Sequence, residues 1–219
     1  MGDLLVLLLP EVVGLVITPG AVAGCVLLLQ SHRPIANASA FGAAFLLVYA
    51  QIAVAALLGG AGDPQSTSKQ TSHWAGLVVG VLFLLAGAVI VVRKPKTAPG
   101  GGPRWMTQLE NTGPRGAFTA GLALAVVNPN LFIMLSGMSL IASSATSVAA
   151  SAVGTIVLLV AAVLDFLVPI GIYLLLGERA RTGLDTAKVW MVRHTRLLSI
   201  GVLMAFGALF TIRGIVNLI

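Results

Sequence analysis

Two short segments set polar side chains beside a proline in the middle of long apolar stretches: Ile17-Thr18-Pro19-Gly20 and Val127-Asn128-Pro129-Asn130. A proline inside a helix removes one backbone hydrogen bond and clashes with the carbonyl four residues back, at a cost of about 3 kcal/mol or more. Gly20 weakens the first turn further. In hydrocarbon the freed carbonyls and amides must be met by protein, water or a ligand, and Thr18, Asn128 and Asn130 add donors and acceptors beside them. The chemistry on offer is reversible binding of a polar group. Pro19 and Pro129 stand 110 residues apart, half the chain. Matched broken helices are the sequence pointer to a transporter's central site.

Two carboxyls add to this. Asp165 lies about midway along the fifth apolar stretch and is followed by Pro169, and Glu11 lies about two turns into the first, after Pro10. A charge at the bilayer centre costs at least about 2.5–3.5 kcal/mol on insertion scales, so both are candidates for proton coupling or for a cationic partner. Glu11 is either in the core or at head-group depth on the outer side. Tyr49 and Gln51 bring further polarity to the second stretch. Bond-making constellations are missing. His32, His73 and His194 fall in or beside loops without metal-ligand spacing, no Walker A or dinucleotide fingerprint occurs, and no paired nucleophile accompanies the carboxyls. The lone Cys25, inside an apolar run, excludes an intramolecular disulfide framework and a multi-thiolate metal site. No metal, no cofactor, no enzymatic activity and no ATP-driven pump are expected.

The elements that carry these residues follow from composition. Of 219 residues, 58% are hydrophobic and 9% charged, with mean hydropathy +1.01, against about 25% charged residues in soluble domains. The net charge of +6 and pI near 10.3 would suggest nucleic acid in a soluble chain, a reading the apolar fraction overrules. A spanning helix needs about 20 mainly apolar residues. Six such stretches occur, at about 4–29, 35–60, 74–92, 117–141, 148–176 and 197–217. They are too long for barrel strands. The start, Met1-Gly2-Asp3, lacks the basic region of a cleaved signal and a myristoylation pattern, so the first helix is expected to stay.

Eleven of the 13 basic residues fall in loops one, three and five. The positive-inside rule then puts those loops in the cytoplasm and both termini outside. Three helices per half is an odd number, so the second half must be inserted upside down. The fold expected is an all-α polytopic membrane protein with six transmembrane helices in two inverted three-helix repeats, helices one and four broken at proline. Residues 1–93 form the first repeat, 94–115 a Pro/Gly-rich cytoplasmic linker, and 116–219 the second repeat. Within the second, 178–196 interleaves Arg179, Arg181, Lys188 and Arg193 with Leu184, Val189 and Trp190. That pattern suits an amphipathic helix along the inner leaflet whose basic side chains meet lipid head groups or a partner.

The broken helices, the basic inner loops and the paired halves resemble the lysine exporter (LysE) superfamily. Closer still is the GAP family, which includes the glycopeptidolipid- and sulfolipid-addressing (Sap) proteins. The matching stretches are Pro103 to Met106 (PRWM), Pro114 to Ala120, Asn128 to Asn130, Gly177 to Ala180 (GERA) and Leu184 to His194 (LDTAKVWMVRH). Where relatives often have Ser-Pro or Gly-Pro, helix one reads Thr-Pro-Gly. The resemblance implies an inner-membrane transporter that moves polar lipids or glycolipids toward the cell envelope. Membrane lipids, envelope-lipid synthesis proteins and a second copy of the chain are the candidate partners. Two other classes remain open: an exporter of small polar solutes or ions, and a membrane scaffold for envelope-lipid synthesis docked through the linker and the basic helix.

Overall fold

In a helix a proline cannot donate to the carbonyl four residues back, and the residue before it is driven out of the helical region. Both effects are visible in the computed structural model, which describes residues 2–59, 69–92, 112–144 and 147–216. Helix α1 (Gly2–Val16) stops short of Pro19, Thr18 takes φ −117°, ψ 85°, and α2 (Pro19–Leu28) starts on the proline. The two are bent by 45°. The second half repeats the device. Helix α5 (Pro114–Val127) ends at Asn128, extended at φ −71°, ψ 134°, and α6 (Asn130–Ser143) follows at 63°.

The other elements are α3 (Pro34–Gly59), α4 (Lys69–Val92), α7 (Val148–Leu176) and α8 (Glu178–Val216). Ser147 caps α7 by accepting from the Ala150 N–H at 3.3 Å. The chain leaves α7 through Gly177 at φ +54°, a left-handed position that glycine occupies without a Cβ penalty. No strand occurs among the described residues.

By length and apolar composition three helices can cross a membrane, Pro34–Leu57, Val148–Leu176 and Ser199–Val216, and each bent pair adds one if read as a single span. The expected span at 74–92 falls in α4, apolar over Gly80–Val92. Large apolar side chains such as Val6, Leu85, Val160 and Leu174 are exposed, as a lipid-facing surface requires. Two expectations change. Segment 178–196 is not a separate helix but is continuous with the last span in the 39-residue α8. Pro114 and Arg115, placed in the linker, form the first turn of α5; the rest of the linker up to residue 111 lies outside the described residues.

Three seams organise the packing. Helix α3 runs alongside α5, with Asn37 Nδ2 donating to the Thr112 carbonyl at 2.9 Å and Gly121 set against Phe41 and Ala44. Helix α1 runs alongside α7, where Gly154 faces Leu4 and Leu8. Helices α4 and α8 are antiparallel, Leu77 meeting Gly214, Leu84 meeting Gly207 and Gly87 meeting Met204. Glycines 80 and 87 on one and 207 and 214 on the other recur every seven residues. A Cβ on Gly80 would stand 2.5 Å from the Thr211 nitrogen, so the backbones meet as closely as small residues allow. Between the seams, Phe41, Phe45, Tyr49 and Phe166 form a ring cluster with centroids 4.9–6.0 Å apart.

Candidate functional site

Pro19 has no N–H for the Leu15 carbonyl, and that carbonyl is the key to the first break. It accepts from the Thr18 hydroxyl at 3.2 Å and from Asn130 Nδ2, on α6, at 3.2 Å. The same Asn130 amide also donates to Thr18 Oγ1. Asp165 on α7 lies beside this break, close enough to Thr18 to interact with it electrostatically. Thr18, Asn130 and Asp165 are all buried. The Leu15 carbonyl released at the first break is therefore met by Thr18 locally and by α6 from across the molecule.

The second break is handled within its own turn. Asn128 Oδ1 accepts from the Asn130 backbone N–H at 3.1 Å, and the Asn128 carbonyl accepts from the Leu131 N–H at 3.0 Å. This is the Asx-type turn that asparagine favours.

The two breaks share a cavity of about 230 Å³ lined by Thr18, Pro19 and Gly20 from one and Asn128, Pro129 and Asn130 from the other. Phe45, Leu124, Val202 and Leu203 make the remaining wall largely apolar. All six break residues named from the sequence thus meet at one place. Tyr49 is buried one layer back, within electrostatic reach of Asp165, its hydroxyl without a hydrogen-bond partner. Gln51 does not join them: it is exposed on the other side of α3. Phe45, Ser199 and Leu203 were not singled out in the sequence, because isolated apolar or hydroxyl residues carry no signal without a neighbour.

Glu11 lies inside the helix bundle. It is fully buried and pairs with Arg213 on α8, Nη1 to Oε1 at 2.6 Å, while the Ser136 hydroxyl on α6 donates to the same oxygen at 3.3 Å. Arg213, read from the sequence only as an outer basic residue, is its cationic partner. Of the basic residues on α8, Arg179 and Arg193 are exposed; the side chains of Arg181 and Lys188 lie outside the described residues.

Long helices with exposed apolar faces, two of them broken at proline, define a multi-pass membrane protein. The chain matches the family Sap, sulfolipid-1-addressing protein, over residues 8–216, and it belongs to that family. No curated protein and no solved structure matches it.

Proposed function

We propose that this chain is an inner-membrane transporter that moves polar lipids or glycolipids toward the cell envelope. The observation that carries the reading is the shared cavity, where polar groups of both breaks edge a largely apolar wall. An amphiphile needs both. At about 230 Å³ the cavity is below the 300–1,000 Å³ usual for whole small ligands, so it takes a head group while the tails stay in lipid. The family's name, which speaks of sulfolipid addressing, points the same way.

The packing supports six spans in two inverted repeats, as in the LysE superfamily. Exchanging the halves turns the α3–α5 seam into the α7–α1 seam and the antiparallel α4–α8 seam into itself. The heptad glycines repeat at an offset of 127 residues and the prolines at 110, a gap accounted for by the extra length of α8 ahead of its apolar part. Cysteines near Lys69 and Ser144 should react with an impermeant reagent from outside the cell, and cysteines near Lys96 and Lys188 should not.

Comparison of envelope lipids in cells with and without the protein tests the function directly. A polar lipid should be depleted outside and accumulate inside when the protein is missing; an unchanged lipid profile would sink the reading. Asp165 couples transport to the proton gradient in this scheme. Asp165→Asn keeps the shape but cannot ionise, so reconstituted protein should fold and insert but lose its response to an imposed pH gradient. The cavity's size favours a second reading, export of a small polar solute, in which flux of an amino acid or ion would appear and envelope lipids would not change.

A further inference from the structure

The cavity and the Glu11–Arg213 pair lie on opposite sides of the breaks. The cavity takes its walls from the start of α2, the end of α5 and the Ser199–Leu203 turns of α8. The pair takes its members from α1, α6 and the far end of α8. Along α8, Arg213 is ten residues beyond Leu203, about 15 Å at the helical rise. Glu11 is seven residues before Thr18 and Ser136 six after Asn130, each about 10 Å from the breaks. Two fully buried side chains, Leu15 and Ile133, fill the interval. Phe206, partly buried, presses its ring onto Gly14, where a Cβ would push the ring aside.

We infer that Glu11, Arg213 and Ser136 form a gate, and that the structure is the state in which this gate is closed and the cavity side is open. The inference rests on the transport reading. The pair suits a gate for three reasons. It joins three elements that belong to both halves of the chain, so separating the halves on this side must break it. It lies beyond an apolar plug as counted from the cavity, so breaking it lets Leu15, Ile133 and Phe206 part. One carboxylate oxygen, Glu11 Oε2, is buried and has no hydrogen-bond partner among the described residues. An ion pair held by one oxygen is strong enough to select a state and is not locked by a full set of bonds. On the cavity side the halves are joined, among the described residues, by the uncharged Asn37 to Thr112 hydrogen bond.

The test is thiol accessibility in sealed membrane vesicles of both orientations, using the full chain with Cys25→Ala and a charged methanethiosulfonate, without substrate. Ile133→Cys reports the plug and Ser199→Cys the cavity. With the pair intact, Ser199→Cys should react from the cavity side, and Ile133→Cys should be protected from the side where α1 begins. Adding Glu11→Gln should speed reaction at Ile133→Cys by at least about tenfold, since the apparent rate follows the population of the open state. The exchanged pair, Glu11→Arg with Arg213→Glu, should restore protection. Protection unchanged by Glu11→Gln while Ser199→Cys still reacts would overturn the gate. So would an exchanged pair that leaves Ile133→Cys reactive. Labelling needs no transport, so an unchanged envelope-lipid profile would count against the function and not against the gate.

Discussion

The two breaks have the same cause and are repaired differently. At Pro129 the repair is local: Asn128 accepts from the amide two residues on, and the turn closes on itself. At Pro19 it is remote: Leu15 and Thr18 are held by Asn130, more than 100 residues away. A self-satisfied turn keeps its shape when its surroundings move. One whose partners sit on other helices holds its shape only while those helices stay in place. The first break is thus the one that senses the arrangement of the halves, and the second is the fixed reference.

The strongest test of this contrast is Asn130→Ala. It removes both side-chain bonds to the first break and spares the backbone bond of the second, so the loss should be about 2 kcal/mol, at the upper end for hydrogen bonds between membrane helices. A drop in thermal unfolding temperature in detergent measures it. Thr18→Val comes next. It keeps the shape and deletes the hydroxyl, for about 1 kcal/mol, and a double-mutant cycle with Asn130→Ala should show coupling because the two side chains bond directly. If the two losses simply add, the remote repair is wrong. Asn128→Ala should cost least, about 0.5 kcal/mol, with no coupling to Thr18→Val. A larger loss there than for Asn130→Ala would reverse the comparison.

The breaks were legible in the sequence because a proline in an apolar run has one backbone consequence whatever surrounds it. The same holds for the six break residues that line the cavity, but not for Phe45, Ser199 and Leu203. Depth and partnership were harder to read. Glu11 looks peripheral when its helix is counted from the N-terminus, and only Arg213, 202 residues later, accounts for its burial. Tyr49 and Gln51 could have been separated beforehand. Two positions apart on a helix means about 200° around its axis, so both cannot face one site. The start of α8 misled for another reason. Its basic residues end where the apolar stretch begins, yet nothing between Glu178 and Val216 is a helix breaker stronger than glycine. A change of solvent along a helix does not require a change of backbone.

That unbroken helix is also a lever. Its 39 residues span about 58 Å, of which the apolar part from Ser199 takes about 27 Å. The remaining 31 Å or so extends past the apolar stretch. Arg213 holds one end against Glu11, and Trp190, stacked on His194, rides on the other. If α8 pivots near Ser199, a tilt of about 10° carries Glu178 through roughly 5 Å. A change at one face of the bundle too small to notice there becomes, at the other, a displacement the size of a side chain.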